Sequence, residues 1–153
     1  MVPVEPETPA GAKGYYVSSV NAKGTIYFDG TVSGGRFNGV YDKAQATLVY
    51  VEAGAEAGDY LLYIMVGDVK TYIVMEDQSK GAVLATDVAN ATVYVWNATL
   101  KTMVVKNPDN GRAFGTQLTS TYDNMSTYAT SNTEGYSWGA FVAADGTEFA
   151  PEA

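Results

Sequence analysis

A string near residue 46 returns almost unchanged one unit later, and this internal repeat constrains the fold more than any other feature of the chain. Ala46-Thr47-Leu48-Val49-Tyr50-Val51-Glu52-Ala53 matches Ala91-Thr92-Val93-Tyr94-Val95-Trp96-Asn97-Ala98 at an offset of 45 residues. Upstream of both stands Asp-x-Ala followed by an amide: Asp42, Ala44 and Gln45, then Asp87, Ala89 and Asn90. A third copy, Ser137-Trp138-Gly139-Ala140-Phe141-Val142-Ala143-Ala144, fits a further 46 residues on. The first half of the unit recurs too. Gly14 to Val20, Asn21 to Gly24 and Thr25 to Phe28 are echoed by Asp59 to Val66, Gly67 to Lys70 and Thr71 to Val74. They return more weakly as Thr102 to Lys106, Asn107 to Gly111 and Arg112 to Gly115. Boundaries at Gly14, Gly58 and Lys101 divide residues 14–146 into units of 44, 43 and 46 residues.

Composition says what each unit is made of. The chain has 18 Val, 16 Thr and 12 Tyr against 6 Leu, with 16 Gly for turns. β-Branched and aromatic side chains suit a pleated, half-buried surface, so an all-β domain is expected. Four strands are predicted per unit: 15–20, 25–29, 36–41 and 47–53; then 60–66, 71–75, 82–86 and 92–97; then 102–106, 112–116, 124–129 and 137–143. No segment longer than about ten residues carries a helical period. Aligning the fourth strands sets Val49 beside Tyr94 and Ala140, and the period of two then turns Val51, Trp96 and Val142 inward together. Gly30 to Gly35 reads as a mobile hairpin tip. Residues 1–13 are Pro-rich and acidic and read as a linker, and residues 147–153 as an acidic tail. Met1 followed by that linker reads as an artificial boundary or the mark of a removed export segment.

Three units of about 44 residues with four strands each resemble the β-trefoil over residues 14–145. The resemblance implies six strands closing a barrel, six forming a hairpin cap, and pseudo-threefold symmetry; another β-barrel or a β-sandwich is the alternative. The Gln-x-Trp signature of ricin-type lectins is missing, so that family's sugar residues have no counterparts here. Gly58-x-Tyr60-Leu61-Leu62, Gly67 and Tyr72 to Met75, with Gly111 to Gly115, Tyr122, Tyr128 and Ser131-Asn132, resemble modules of secreted and surface proteins from gut anaerobes.

Much chemistry is excluded outright. Nine Lys and Arg against 17 Asp and Glu leave a net charge of −8, which argues against binding nucleic acid through its phosphates. The chain has neither Cys nor His, so thiolate sites, disulfides and the commonest general base and metal ligand are gone. A catalytic carboxylate pair would have to come from Asp29, Asp42, Asp87, Asp109 or Asp123. Asp42 and Asp87 occupy equivalent points of different repeats, which holds them apart, and Asp109 sits in a turn-forming Asn-Pro-Asp-Asn-Gly. The pairs Asp109-Asn110 and Asp123-Asn124 lack the spacing of a calcium loop. The expectation is therefore no enzyme, no cofactor and no metal. Asn90, Asn97 and Asn124 head Asn-x-Ser/Thr sequons. No apolar run approaches a membrane span, so no membrane insertion is expected.

Aromatic residues beside Asp and Asn suit a sugar site, where ring faces stack on C–H groups and fixed polar partners meet hydroxyls. With so few Leu, other tyrosines should fill the barrel, their hydroxyls reaching polar partners. The densest stretch lies in the third repeat, and the candidate ligand-binding residues are Tyr122, Asp123, Asn124, Tyr128 and Trp138. The expected function is a non-catalytic binding module, for a neutral glycan, in a secreted or surface bacterial protein. The alternative is a structural or adhesive domain binding a surface protein, such as a virion decoration or surface-assembly component.

Overall fold

In a computed structural model, residues 13–75, 81–106, 111–131 and 134–151 are described. Within them the chain is all-β. The first unit holds β1 (Gly14–Asn21), β2 (Gly24–Ser33), β3 (Arg36–Val40) and β4 (Leu48–Ala53). The second holds β5 (Asp59–Val66), β6 (Val69–Met75), β7 (Ala82–Ala85) and β8 (Tyr94–Asn97). The third holds β9 (Thr102–Val105), β10 (Arg112–Gln117), β11 (Asn124–Ala129), β12 (Tyr136–Trp138) and β13 (Ala140–Val142). The helical content among these residues is two single 3-10 turns, Lys43–Gln45 and Val88–Asn90.

Those turns explain the repeated Asp-x-Ala. The Asp42 carboxylate accepts from the Ala44 N–H at 3.0 Å and that of Asp87 from the Ala89 N–H at 2.9 Å. Each satisfies a backbone donor that a helix start leaves unpaired. Asp29 does similar work, accepting from the N–H and hydroxyl of Thr31 at 2.8 and 2.6 Å where β2 bulges between Phe28 and Val32. Asp109 lies outside the described residues.

All ladders are antiparallel, and six strands run edge to edge in the order β13-β1-β4-β5-β8-β9. β1 meets β4 through Gly14 to Tyr16 and β2 through Ser18 to Asn21; β5 meets β8 through Asp59 and Tyr60 and β6 through Tyr63 to Val66. The same strand role thus recurs one repeat later. Among the described residues no ladder joins β9 to β13, and the sheet is open there. The pairs β2–β3, β6–β7 and β10–β11 belong to the same antiparallel sheet, which runs β12-β10-β11-β3-β2-β1-β4-β5-β6-β7, and Gly35 O accepts from the Ala82 N–H.

The main core draws on strands of all three units. Phe28, Phe37, Phe114 and Phe141 are buried, with ring centroids 4.4 Å apart for Phe37–Phe114 and 5.9 Å for Phe114–Phe141. Tyr94 fits the expected pattern: it is fully buried, and its hydroxyl donates to Ile73 O at 2.9 Å. Tyr15 is buried in the same core and Tyr60 packs against it, but not all the tyrosines join them. Tyr50, Tyr63 and Tyr72 form a separate buried cluster, where the Lys70 ammonium sits 4.4 Å from the Tyr63 ring and pairs with Glu52.

The third repeat departs from the expected register. Val51 and Trp96 pack against the main core, but in the third copy Phe141 and Ala143 are buried and Val142 is half-buried. The expected strand 137–143 is broken at Gly139, whose N–H donates to Phe114 O at 2.9 Å. A Cβ at Gly139 would lie 2.7 Å from Phe114 Cβ, so only glycine lets the strands approach there. A one-residue slip exchanges the two faces of everything that follows. The end of the chain also packs: Phe149 donates its N–H to Phe141 O at 2.9 Å and sets its ring among Tyr15, Tyr60 and Trp96.

Candidate functional site

The third repeat places Tyr128, Tyr136 and Trp138 on one sheet face. In β11 the buried positions Met125 and Thr127 alternate with half-buried Asn124, Ser126 and Tyr128, so the latter three share the outward face. The neighbouring strand β10 sets Ala113 opposite Tyr128 and Gly115 opposite both Ser126 and Trp138, with Gln117 opposite Tyr136. Three adjacent strands thus present Tyr128, Ser126 and Asn124 on one side, Trp138 and Tyr136 on the other, and Gly115 between them.

Gly115 is the low point. A Cβ there would stand 3.2 Å from both the Trp138 and the Tyr128 ring. The absence of a side chain lets the rings lean together over a floor of backbone. Tyr128 meets Tyr136 edge to face at 4.9 Å, and Tyr136 stacks on Trp138 at 6.0 Å with planes 18° apart. All three rings are half-buried. Beside them a cleft of about 370 Å³ is lined by Tyr122, Asn124, Ser126 and Tyr128, by Gln117 and neighbouring hydroxyls, and by Arg36 from the first repeat.

The five candidates therefore divide. Tyr122, Asn124 and Tyr128 line the cleft; Trp138 joins them through the Gly115 floor and the ring stack. Tyr122 is 73% exposed. The Asp123 side chain does not line the cleft. Its carboxylate accepts from the Tyr41 hydroxyl at 2.7 Å and pairs with Lys23 at 3.2 Å. Those donors, Tyr41 first and Lys23 second, hold the Asp123 carboxyl below its usual range. Desolvation is the main cause that raises the Tyr41 hydroxyl. The backbone joins the same contact. Asn21 Nδ2 donates to Tyr122 O at 3.1 Å, Ala22 N–H to Ser120 O at 2.9 Å and Gly39 N–H to Asp123 O at 3.0 Å. Asp123 is a latch that holds the segment carrying Tyr122 against the first repeat.

Sequence reasoning left out three contributors. Tyr136 stands two positions before Trp138 on the same strand, so the period of two could have found it. Gln117 needed the β10–β12 register. Arg36 comes from another repeat and is brought in by the β3–β11 ladder, which pairs Asn38 with Asn124 and Phe37 with Met125.

Among the described residues no cluster of three or more Asp or Glu is placed to hold a metal ion. No described helix is long and apolar enough to cross a membrane. The sequons differ in setting: Asn90 ends a 3-10 turn, Asn97 accepts from the Thr99 and Leu100 N–H groups, and Asn124 opens β11. No protein-family model, curated protein or solved structure matches the chain.

Proposed function

We propose that the chain is a non-catalytic carbohydrate-binding module of a secreted or surface bacterial protein, with Tyr122, Asn124, Tyr128 and Trp138 at its site. One observation carries the reading: half-exposed rings, amides and hydroxyls converge on a single sheet face around the Gly115 floor. Pyranose rings need that mixture, apolar faces for their C–H surfaces and donors and acceptors for their hydroxyls. The cleft is shallow, so affinity is expected in the micromolar to millimolar range, about −4 to −8 kcal/mol.

The architecture belongs to the same proposal. In a β-trefoil each repeat sends its first and fourth strands to a barrel and its middle pair to a cap. The six-strand run β13-β1-β4-β5-β8-β9 and the three hairpins follow that division, with closure between β9 and β13 as the remaining step. The split β12 and β13 would stand for one fourth strand interrupted at Gly139.

Retention on affinity gels carrying mixed polysaccharides, followed by a glycan array, tests the function. Binding is expected, and Tyr128→Ala and Trp138→Ala should each weaken it while the fold persists. A parent protein that no glycan retains sinks the proposal. The structural or adhesive reading draws on one observation, the exposed Val66 and Val69 (53% and 50%) at the β5–β6 hairpin tip. Concentration-dependent assembly that Val66→Ser with Val69→Ser abolishes would favour it.

A further inference from the structure

We infer that the cleft takes an acidic oligosaccharide, a sugar carboxylate being held by Arg36; the inference rests on the carbohydrate-binding reading above. The cleft lining contains Arg36 and, among the described residues, no Asp or Glu. Its local charge is therefore positive in a chain whose net charge is −8. Arg36 is exposed, and no described side chain forms an ion pair or hydrogen bond with its guanidinium. The acid closest to the cleft in sequence, Asp123, is already engaged with Lys23 and Tyr41 and cannot neutralise it.

Geometry aims Arg36 at the site. The β3–β11 ladder pairs Asn38 with Asn124 and Phe37 with Met125, and continuing it sets Arg36 across from Ser126. Arg36 therefore shares the face of Asn124, Ser126 and Tyr128. A guanidinium presents a planar fork of donors that matches a carboxylate with two parallel hydrogen bonds. The amides of Gln117 and Asn124 are left for sugar hydroxyls.

The span fixes the ligand's minimum size. From β3 through β11 and β10 to β12 is three strand spacings, about 14 Å at roughly 4.8 Å each. A ligand that reaches Arg36 while stacking on Tyr136 or Trp138 must exceed one pyranose ring. The net charge, which led to the expectation of a neutral glycan, acts at a different range. At physiological ionic strength screening sets in over about 8 Å, so distant carboxylates are muted while a contact pair is not.

Calorimetric titration at physiological ionic strength with a hexuronic-acid tetrasaccharide, its carboxyl-reduced counterpart and a sulfated neutral-backbone tetrasaccharide tests the assignment. The uronate should bind best. Arg36→Gln should weaken it about tenfold to a hundredfold, the range of a charge-assisted hydrogen bond, to the level of the reduced sugar. The reduced sugar should lose far less than the uronate on the same change, with melting unchanged; Arg36→Lys should restore part of the loss. Uronate binding unaffected by Arg36→Gln, or a parent that prefers the reduced sugar, overturns the role of Arg36 and leaves glycan binding standing. Preference for the sulfated sugar overturns the carboxylate. Failure of all three sugars and of the polysaccharide gels removes the underlying reading as well.

Discussion

Replacing Phe149 with Ala tests whether the end of the chain is part of the core. Its ring lies 5.5 Å from Tyr15 and 5.5 Å from Tyr60, both edge to face, and 4.8 Å from Trp96. Fully burying a Phe side chain contributes about 1.5–3 kcal/mol, so a half-buried one contributes about 1 kcal/mol. Each well-placed ring pair adds about 0.5–1.5 kcal/mol, and three pairs that share one ring add roughly 2 kcal/mol together. The sum is about 3 kcal/mol, or a melting temperature lower by about 6–12 °C for a domain of this size. Urea unfolding followed by tryptophan fluorescence measures it, since Trp96 is in contact. Phe149→Leu should recover the burial and lose the ring pairs, falling between Ala and the parent. A Phe149→Ala variant within about 0.5 kcal/mol of the parent would refute the packing argument.

Trp96→Ala should cost about 2–3 kcal/mol by denaturant unfolding, less than a fully buried Trp because its ring is half-exposed; an unchanged midpoint would contradict its packing on Phe141 and Phe149. Gly115→Ala should cost the fold about 1–3 kcal/mol and leave it folded, yet abolish glycan retention, because the new methyl fills the floor between Tyr128 and Trp138; full retention would contradict the assigned site. Melting temperature should be flat from pH 5 to 8, as the chain has no His. Asp123 and Asp145 are held below the usual 3.8 by hydrogen bonds from Tyr41 and Thr147 respectively, so their contribution is present above that pH and lost on acidification through the folded values. Asp123→Asn should flatten that acid limb, and an identical limb would contradict the latch. At the other end, hydrogen bonds from Lys106 to Glu56 and Asp59 hold its ammonium above 10.5, and burial raises the Tyr94 hydroxyl. Stability should fall as pH rises past about 10, where the unfolded chain gives up these protons first.

The all-β class was legible because it follows from local chemistry. Side chains branched at Cβ, alternating patterns and turn residues act within a few positions, and the expected β11 range agrees with the observed Asn124–Ala129. The repeat was legible for a related reason: Asp42 and Asp87 cap the same turn by the same local hydrogen bond. The third repeat's inward face was not. Its register depends on Gly139 meeting Phe114, a contact made across strands far apart in sequence.

The candidate site divides along the same line. Sequence alone could place Tyr122, Asn124, Tyr128 and Trp138 together because rings and amides crowd one short stretch of one repeat, and the period of two adds only that Asn124 and Tyr128 share a face of β11. It could not tell that Asp123, between two cleft residues, turns to Tyr41 and Lys23, or that Arg36 arrives from the first repeat. Which side chains share a surface is decided by pairing between distant strands, and that pairing is set by the core packed beneath them. Local propensity determined that strands form; only the tertiary structure decided which strands lie side by side, and so which charge and which rings share the cleft.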